Sequence, residues 1–184
     1  MKTKASKYVF RICLTAMFAA LFYVLSLVTI RTPITNITFA SFPIVVAAIL
    51  FGPVEAGAAA FLGEFLQQML AYGFGPTTLL WILPPVARGL IIGFASLWFR
   101  KKGSFIERKY VVCYVWCMVG AVATTLLNTV VQFIDCKVFK YPMPYAWASL
   151  PARFIIGIVM SVVITTVAIP VCNKLRKQAM KLIK

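Results

Sequence analysis

A carboxylate and two amides lie on one face of a predicted helix within an otherwise apolar stretch, residues 39–68. Glu64, Gln67 and Gln68 are spaced i, i+3 and i+4, so a helix presents them on the same side. A carboxylate at bilayer depth is unfavourable by about 3 kcal/mol on insertion scales, so Glu64 is expected to face the interior and to have a partner. Two interpretations stay open: Glu64 belongs to or borders a ligand pocket, or it only bridges helices.

More polar side chains occur in the later apolar runs. Asn128 and Gln132 share the i, i+4 spacing, and Arg153 lies about two turns into the last run. A guanidinium binds a carboxylate through two hydrogen bonds, so Arg153 suits an anionic group of a ligand; helix-end carbonyls or lipid headgroups are the alternative. Together these groups predict a small-molecule pocket that opens toward the exterior. The candidate substrate-binding residues are Glu64, Gln67, Gln68, Tyr72, Trp81, Arg88, Asn128, Gln132, Trp147 and Arg153.

Arg88 is the basic residue predicted nearest the middle of the membrane. It follows Pro84-Pro85 by one turn, and two prolines remove two backbone donors, so a kink or restart of the helix is expected there. An arginine at that depth needs an acceptor, which predicts an ion pair with Glu64. Tyr72 and Phe74 flank Gly73 in the preceding loop and are expected either to cap the pocket or to lie at the lipid interface.

The composition indicates an integral membrane protein. The 184 residues are 62% hydrophobic and 12% charged, which is more apolar surface than a soluble domain of this size can bury. The formal net charge is +15. Because the basic residues cluster beside the apolar runs, they are interpreted as determinants of topology and headgroup contacts, and not as a nucleic-acid site.

Several kinds of chemistry are disfavoured. The sequence has no histidine, which removes Ser-His and Cys-His nucleophiles and most transition-metal sites, so no catalytic residue, metal or cofactor is expected. The five cysteines form no C-x-x-C pair, and Cys113 and Cys117, four apart in an apolar run, are expected to be small lipid-buried or core residues and not a disulfide. No G-x-x-x-x-G-K-[ST] loop is present, so the chain cannot use ATP alone.

Six apolar runs predict one six-helix transmembrane domain over residues 1–184, an all-α fold with both termini cytoplasmic. The spans are expected at about 12–30, 37–51, 54–70, 79–99, 110–134 and 146–172, with a tight joint at Gly52-Pro53 and outer loops at 31–36 and 135–145. Of the 19 basic residues, four lie in the leading segment, five in 100–109 and five in the tail. Only three fall in outer loops, which satisfies the positive-inside rule.

The order of short motifs resembles a known family. Ile37-Thr38-Phe39, Leu50-Phe51-Gly52-Pro53 and Gly63-Glu64 are similar to the second and third helices of S components, the substrate-binding membrane subunits of energy-coupling factor (ECF) vitamin transporters. The later elements 88–93, 127–129 and 147–153 resemble the folate type, although that type usually has aspartate at the position of Glu64. The resemblance covers nearly the whole chain.

The resemblance implies a subunit of a prokaryotic plasma membrane that captures a vitamin for uptake driven by partners. Those partners would be a transmembrane scaffold subunit and two cytosolic ATPases, which would use the ATP, and Ala16 and Ala20 would face the scaffold. The expected ligand is folate or another carboxylate-bearing vitamin such as pantothenate. The alternatives are a self-sufficient small-molecule transporter or channel acting as a homo-oligomer and, less favoured, an intramembrane enzyme.

Overall fold

The computed structural model describes the backbone of residues 4–31, 36–140 and 143–183 and the side chains of residues 8–30, 37–140 and 147–176. Within these ranges the chain forms six α-helices and one two-stranded antiparallel ribbon. The helices are α1 (Lys4–Leu27), α2 (Ser41–Leu50), α3 (Pro53–Gln67), α4 (Thr78–Lys101), α5 (Tyr110–Val138) and α6 (Met143–Ile183). The ribbon consists of β1 (Thr29–Arg31) and β2 (Asn36–Thr38), a π-helical turn (Gln68–Tyr72) extends α3, and a short 3-10 helix (Ile106–Arg108) precedes α5.

The fold is that of an all-α integral membrane protein, and each predicted span corresponds to one of the six helices. Among the described residues, four helical segments are long and apolar enough to cross a bilayer: Tyr8–Leu27, Thr78–Lys101, Tyr110–Val138 and Trp147–Arg176. By contrast, α2 has only 10 residues and extends about 15 Å at 1.5 Å per residue, half the thickness of the hydrocarbon core. The cytoplasmic placement of both termini stays a prediction.

The short helix α2 lies at the centre of the bundle. Its residues 43–50 are all buried, and it packs against α1, α3, α4 and α6. Ile44, Ala47 and Ile49 are fully enclosed, which explains why this helix reads as a continuous apolar run without an amphipathic period. These four helices therefore surround α2, and each of them also has exposed apolar residues that can face lipid.

Glycines bring α3 and α4 unusually close together. Gly52, with φ of 113°, makes the turn between α2 and α3 at the predicted joint, a conformation that other residues rarely adopt. A Cβ at Gly89 would lie 3.1 Å from the carbonyl of Ala56, and one at Gly93 would overlap the backbone of Pro53. The two helix backbones thus touch along a seam of small residues, as is common for membrane helices.

The predicted restart of the fourth span at Pro84-Pro85 is wrong, because α4 is continuous from Thr78 to Lys101; the kink expected there stays a prediction. The two prolines remove the donors for the carbonyls of Leu80 and Trp81 only, and the helical hydrogen bonds on both sides remain. Pro84 is fully buried, so packing holds the two halves of α4 in one helix.

The outer loops are more regular than predicted. The first expected loop includes the ends of the ribbon, in which Ile30 pairs with Ile37 and Arg31 with Asn36; its residues 32–35 lie outside the described residues. The second expected loop began at Asp135, but α5 continues to Val138, so Asp135 is helical. Residues 141–142 of that loop also lie outside the described residues. At the other end, α6 continues past the predicted limit at Cys172 to Ile183.

A charged cluster closes the C-terminal end of α2. Ser96 Oγ, Arg100 Nη2 and Arg176 Nη2 donate to the carbonyl of Ile49 at 2.9, 2.7 and 3.1 Å, and Arg100 also donates to the carbonyl of Leu50. Cations at this end oppose the negative pole of the helix dipole. Glu107, fully buried, forms an ion pair with Arg176, so the cluster joins α2, α4, α6 and the segment before α5.

Candidate functional site

A cavity of about 680 Å³ lies between α3, α4, α5 and α6. Its size falls within the range of roughly 300–1,000 Å³ that is usual for small-molecule sites. The wall brings together eight of the candidate residues: Glu64, Gln67, Gln68, Tyr72, Trp81, Arg88, Asn128 and Arg153. The predicted convergence of polar side chains on one hollow is therefore found in the structure for these eight residues.

Glu64 and Gln68 form a hydrogen-bonded pair on the cavity wall. Gln68 Nε2 donates to Glu64 Oε1 at 2.8 Å. Both side chains are buried, with Gln68 7% exposed and Glu64 9% exposed. The i, i+4 spacing on α3 and its π-helical extension makes this contact possible. One carboxylate oxygen of Glu64 is thereby held in place on the wall.

The predicted ion pair between Glu64 and Arg88 is wrong. Among the described residues, Arg88 instead donates from Nε to Thr124 Oγ1 at 3.1 Å, and the partner of Glu64 is Gln68. Thr124 in turn donates to the carbonyl of Gly120 at 2.7 Å. Arg88 therefore points toward α5, whereas the amide one turn from Glu64 already satisfies that carboxylate. The two charges face the same cavity without neutralising each other.

At one end of the cavity, a tryptophan of α4 is bonded to an aspartate of α5. Trp81 Nε1 donates to Asp135 Oδ2 at 2.7 Å, and both residues line the cavity. The other carboxylate oxygen, Oδ1, is buried and has no hydrogen-bond partner within the described chain. A buried oxygen of this kind is expected to accept from something, because an unsatisfied polar atom is unfavourable by roughly 1–3 kcal/mol.

Arg153 reaches the cavity from α6, next to a tight helix contact. A Cβ at Gly157, one turn further along α6, would lie 2.9 Å from Thr125 Oγ1 of α5. Both Gly157 and Thr125 line the cavity together with Arg153 and Asn128. The helices α5 and α6 therefore pack closely beside Arg153 and Asn128.

An aromatic residue marks the transition from the cavity to the surface. Tyr72 ends the π-helical turn, is 62% exposed and lines the cavity. Gly73 follows with φ of 79° and redirects the chain, and Thr78 Oγ1 accepts from the amide of Gly75 at 2.8 Å. Phe74 is 72% exposed and is not part of the wall. Tyr72 therefore fits the interpretation as a cap of the pocket, and Phe74 fits the alternative position at the lipid interface.

Two candidate residues lie away from the wall. Trp147 is 64% exposed and makes an edge-to-face contact with Phe133, with ring centroids 5.2 Å apart. Gln132 is half-buried on α5 and does not line the cavity. Gln132 shares α5 with wall residue Asn128, and Trp147 shares α6 with wall residue Arg153.

Sequence reasoning missed Asp135 and Thr124 as wall residues. Asp135 was assigned to a loop because a charged, Cys- and Lys-containing segment follows an apolar run. If α5 had been extended, its position seven residues after Asn128 would have placed it on the same face. Thr124 carries no signal beyond its i, i+4 spacing to Asn128 on the same helix.

The chain matches one family model and several solved structures. The model for the S component of the ECF-type riboflavin transporter matches residues 7–177. A solved S component of a bacterial ECF transporter superposes with a TM-score of 0.65 at 16% identity, over 90% of this chain and 97% of that one. ThiT from Listeria monocytogenes gives 0.63 at 18% identity, over 96% and 98%. An S component for biotin gives 0.57 at 14% identity, over 91% and 94%. No curated protein sequence matches the chain.

Proposed function

Since the chain belongs to the family of S components of ECF-type riboflavin transporters, we propose that its cavity binds riboflavin for uptake. An S component is a vitamin-binding, multi-pass protein of the cell membrane and not an enzyme. It works with the partner subunits of an ECF module. The identity of the vitamin is our proposal, and it rests on the balance of charge in the cavity.

The wall carries as many carboxylates as guanidinium groups. Arg88 and Arg153 supply two positive charges, and Glu64 and Asp135 supply two negative charges. In a site of low dielectric, a ligand with net charge would leave this balance uncompensated, and an isolated buried charge is strongly unfavourable. A neutral molecule with many donors and acceptors fits better. Riboflavin meets this description, with an imide edge, a ring system and a hydroxylated tail.

The expectation of a carboxylate-bearing vitamin, folate or pantothenate, is the second candidate. It rested on Arg153, which does line the cavity, and Arg88 adds a second guanidinium on the same wall. Bidentate binding of a carboxylate by either arginine would favour this candidate. Against it stand the carboxylates of Glu64 and Asp135, which would repel an anion placed between them.

The partner subunits are proposed on the resemblance of the sequence to S components. Ala16 and Ala20 are both exposed on α1, whereas Phe18 and Ala19 between them are buried in the bundle. Small residues spaced by four allow another helix to approach closely. This face supports contact with a transmembrane scaffold, whose two cytosolic ATPases would hydrolyse the ATP.

Titration of the purified protein in detergent tests the proposed ligand. Riboflavin fluorescence is expected to be quenched on binding beside Trp81 and Tyr72, and folate and pantothenate are expected not to compete. Binding of either carboxylate-bearing vitamin, measured by calorimetry, with no quenching of riboflavin would favour the second candidate instead.

Reconstitution separates a binding subunit from a self-sufficient transporter. Liposomes with the protein alone are expected to take up no riboflavin, and uptake should appear when ECF partners and internal ATP are supplied. Uptake by the protein alone would support the homo-oligomeric transporter that the sequence left as an alternative.

A further inference from the structure

We infer that Asp135 determines ligand specificity by accepting a hydrogen bond from an N–H or O–H group of the vitamin. This inference rests on the proposed function, because it assigns a role within the same cavity. It adds a residue that sequence reasoning had placed in a loop, and it defines a chemical requirement at one end of the ligand.

The geometry of the carboxylate carries the inference. Trp81 Nε1 holds Oδ2 at 2.7 Å, which fixes the side chain between α4 and α5. Oδ1 is buried, without a hydrogen-bond partner in the described chain, and Asp135 is part of the cavity wall. Because one oxygen is held by Trp81 and the other has no partner in the described chain, the carboxylate has one acceptor left for a molecule that reaches it from the cavity.

The position of Asp135 gives the cavity two different ends. Thr124, which accepts from Arg88, precedes Asp135 by 11 residues on α5, a separation of about 16 Å at 1.5 Å per residue. Arg88 and Asp135 therefore lie at different depths of the cavity wall, where one offers a cationic donor and the other an anionic acceptor. A bound molecule must present acceptors toward Arg88 and a donor toward Asp135.

Specificity follows because, in a buried site, a missing hydrogen bond is more unfavourable than a formed one is favourable. A ligand that lacks the donor leaves Oδ1 unsatisfied, and a ligand with a carboxylate there is repelled. Hydrogen bonds to charged groups contribute about 1.5–3 kcal/mol. Riboflavin carries two kinds of donor that suit Oδ1, the ring imide N–H and the hydroxyls of its tail.

The test is a cycle of protein variants and ligand analogues. In Asp135→Asn, the amide oxygen still accepts from Trp81, and an NH₂ group replaces the free acceptor. The Kd for riboflavin is expected to rise about 10- to 150-fold, the factor that corresponds to one charged hydrogen bond. The corresponding change Glu55→Gln, at an acid in the first turn of α3 that pairs with Arg11 at 3.3 Å and lies outside the cavity, serves as the matched control.

Two analogues show whether the effect passes through the ligand's donor. 3-Methylriboflavin lacks the ring N–H, and lumiflavin lacks the hydroxylated tail. For whichever analogue has lost the group that Asp135 binds, wild type and Asp135→Asn should have the same Kd. An equal penalty for riboflavin and both analogues, or no penalty at all, would overturn the inference.

A readout without ligand separates this inference from the proposed function. Because Asp135→Asn keeps the bond to Trp81 and relieves a buried, unsatisfied carboxylate oxygen, the unliganded variant should melt at or above the wild type. If the wild type binds no riboflavin, the proposed substrate fails, and this melting result supports the role of Asp135 independently. A clearly lower melting temperature would mean that Asp135 is structural and would overturn the inference.

Discussion

Glu107 and Arg176 form an ion pair beneath the C-terminal end of α2, with the carboxylate fully buried and Arg176 11% exposed. Arg176 also donates to the carbonyl of Ile49, so a single guanidinium connects the end of α6, the segment before α5 and the central helix. The sequence suggested only that Glu107 belonged to a charged loop. Its burial shows that this loop is part of the packed structure.

Replacing Glu107 is expected to destabilise the protein strongly. Glu107→Gln leaves Arg176 without its counter-charge in a buried place, which typically lowers the free energy of unfolding by about 3–5 kcal/mol. The pair formed by Arg11 and Glu55 provides the control: Glu55 is 11% exposed, but Arg11 is 60% exposed, and pairs screened by solvent contribute about 0–1 kcal/mol. Thermal melts in detergent of Glu107→Gln and Glu55→Gln measure the difference. Equal melting temperatures would contradict the assignment.

The Glu64–Gln68 pair predicts an order of stability for two variants. In Glu64→Gln the new amide oxygen still accepts from Gln68, so the melting temperature should stay close to that of the wild type. In Gln68→Leu a buried carboxylate loses its donor, and a loss of about 1–3 kcal/mol is expected. If Glu64→Gln proved the less stable of the two, Glu64 would have a partner other than the one observed.

Arg153 is expected to be required for ligand binding and dispensable for folding. Arg153→Ala removes a guanidinium from the cavity wall and should weaken riboflavin binding at least tenfold, since hydrogen bonds from charged groups contribute about 1.5–3 kcal/mol. The control is Trp147→Phe, on the same helix but away from the wall, which should leave the Kd unchanged. Calorimetry with both variants measures the effect; unchanged affinity in Arg153→Ala would remove Arg153 from the site.

The seam between α3 and α4 predicts strong position dependence for glycine substitutions. Gly93→Ala would place a methyl group against the backbone of Pro53, and overpacking of this kind typically destabilises by about 1–3 kcal/mol. A methyl group at Gly75 has only Thr78 Oγ1 nearby, at 3.8 Å, so Gly75→Ala should melt like the wild type. Similar melting temperatures for the two variants would contradict the close approach.

The number and order of the helices could be predicted from the sequence, because apolar length and the distribution of lysine and arginine depend only on the local chain. The joint at Gly52-Pro53 and the burial of Glu64 were predictable for the same reason. The partners of buried polar groups were not. Arg88 shares the cavity wall with both Glu64 and Thr124. Which of the two accepts its hydrogen bond depends on the rotation of α4 about its axis, and apolar periodicity leaves that rotation undetermined.

The end of α5 and the short ribbon could not be predicted from the sequence either. Asp135 looks like a loop residue because charged side chains usually avoid spans, but its bond to Trp81 stabilises another turn of α5. The short ribbon Thr29–Arg31 and Asn36–Thr38 has too few residues for a pattern with a period of two. The bond between Trp81 and Asp135 joins residues 54 positions apart in the chain, and a contact of this kind overrides the local preference.

The equal numbers of carboxylates and guanidinium groups on the cavity wall have an electrical consequence. Moving one elementary charge across the membrane against a potential of 100 mV requires about 2.3 kcal/mol. For a vitamin with a formal charge, part of this electrical work would be added to the free energy of binding near Arg88. For a neutral vitamin, the electrical work is zero. Its occupancy of this protein should therefore follow its concentration outside the cell and be indifferent to whether the membrane is energised.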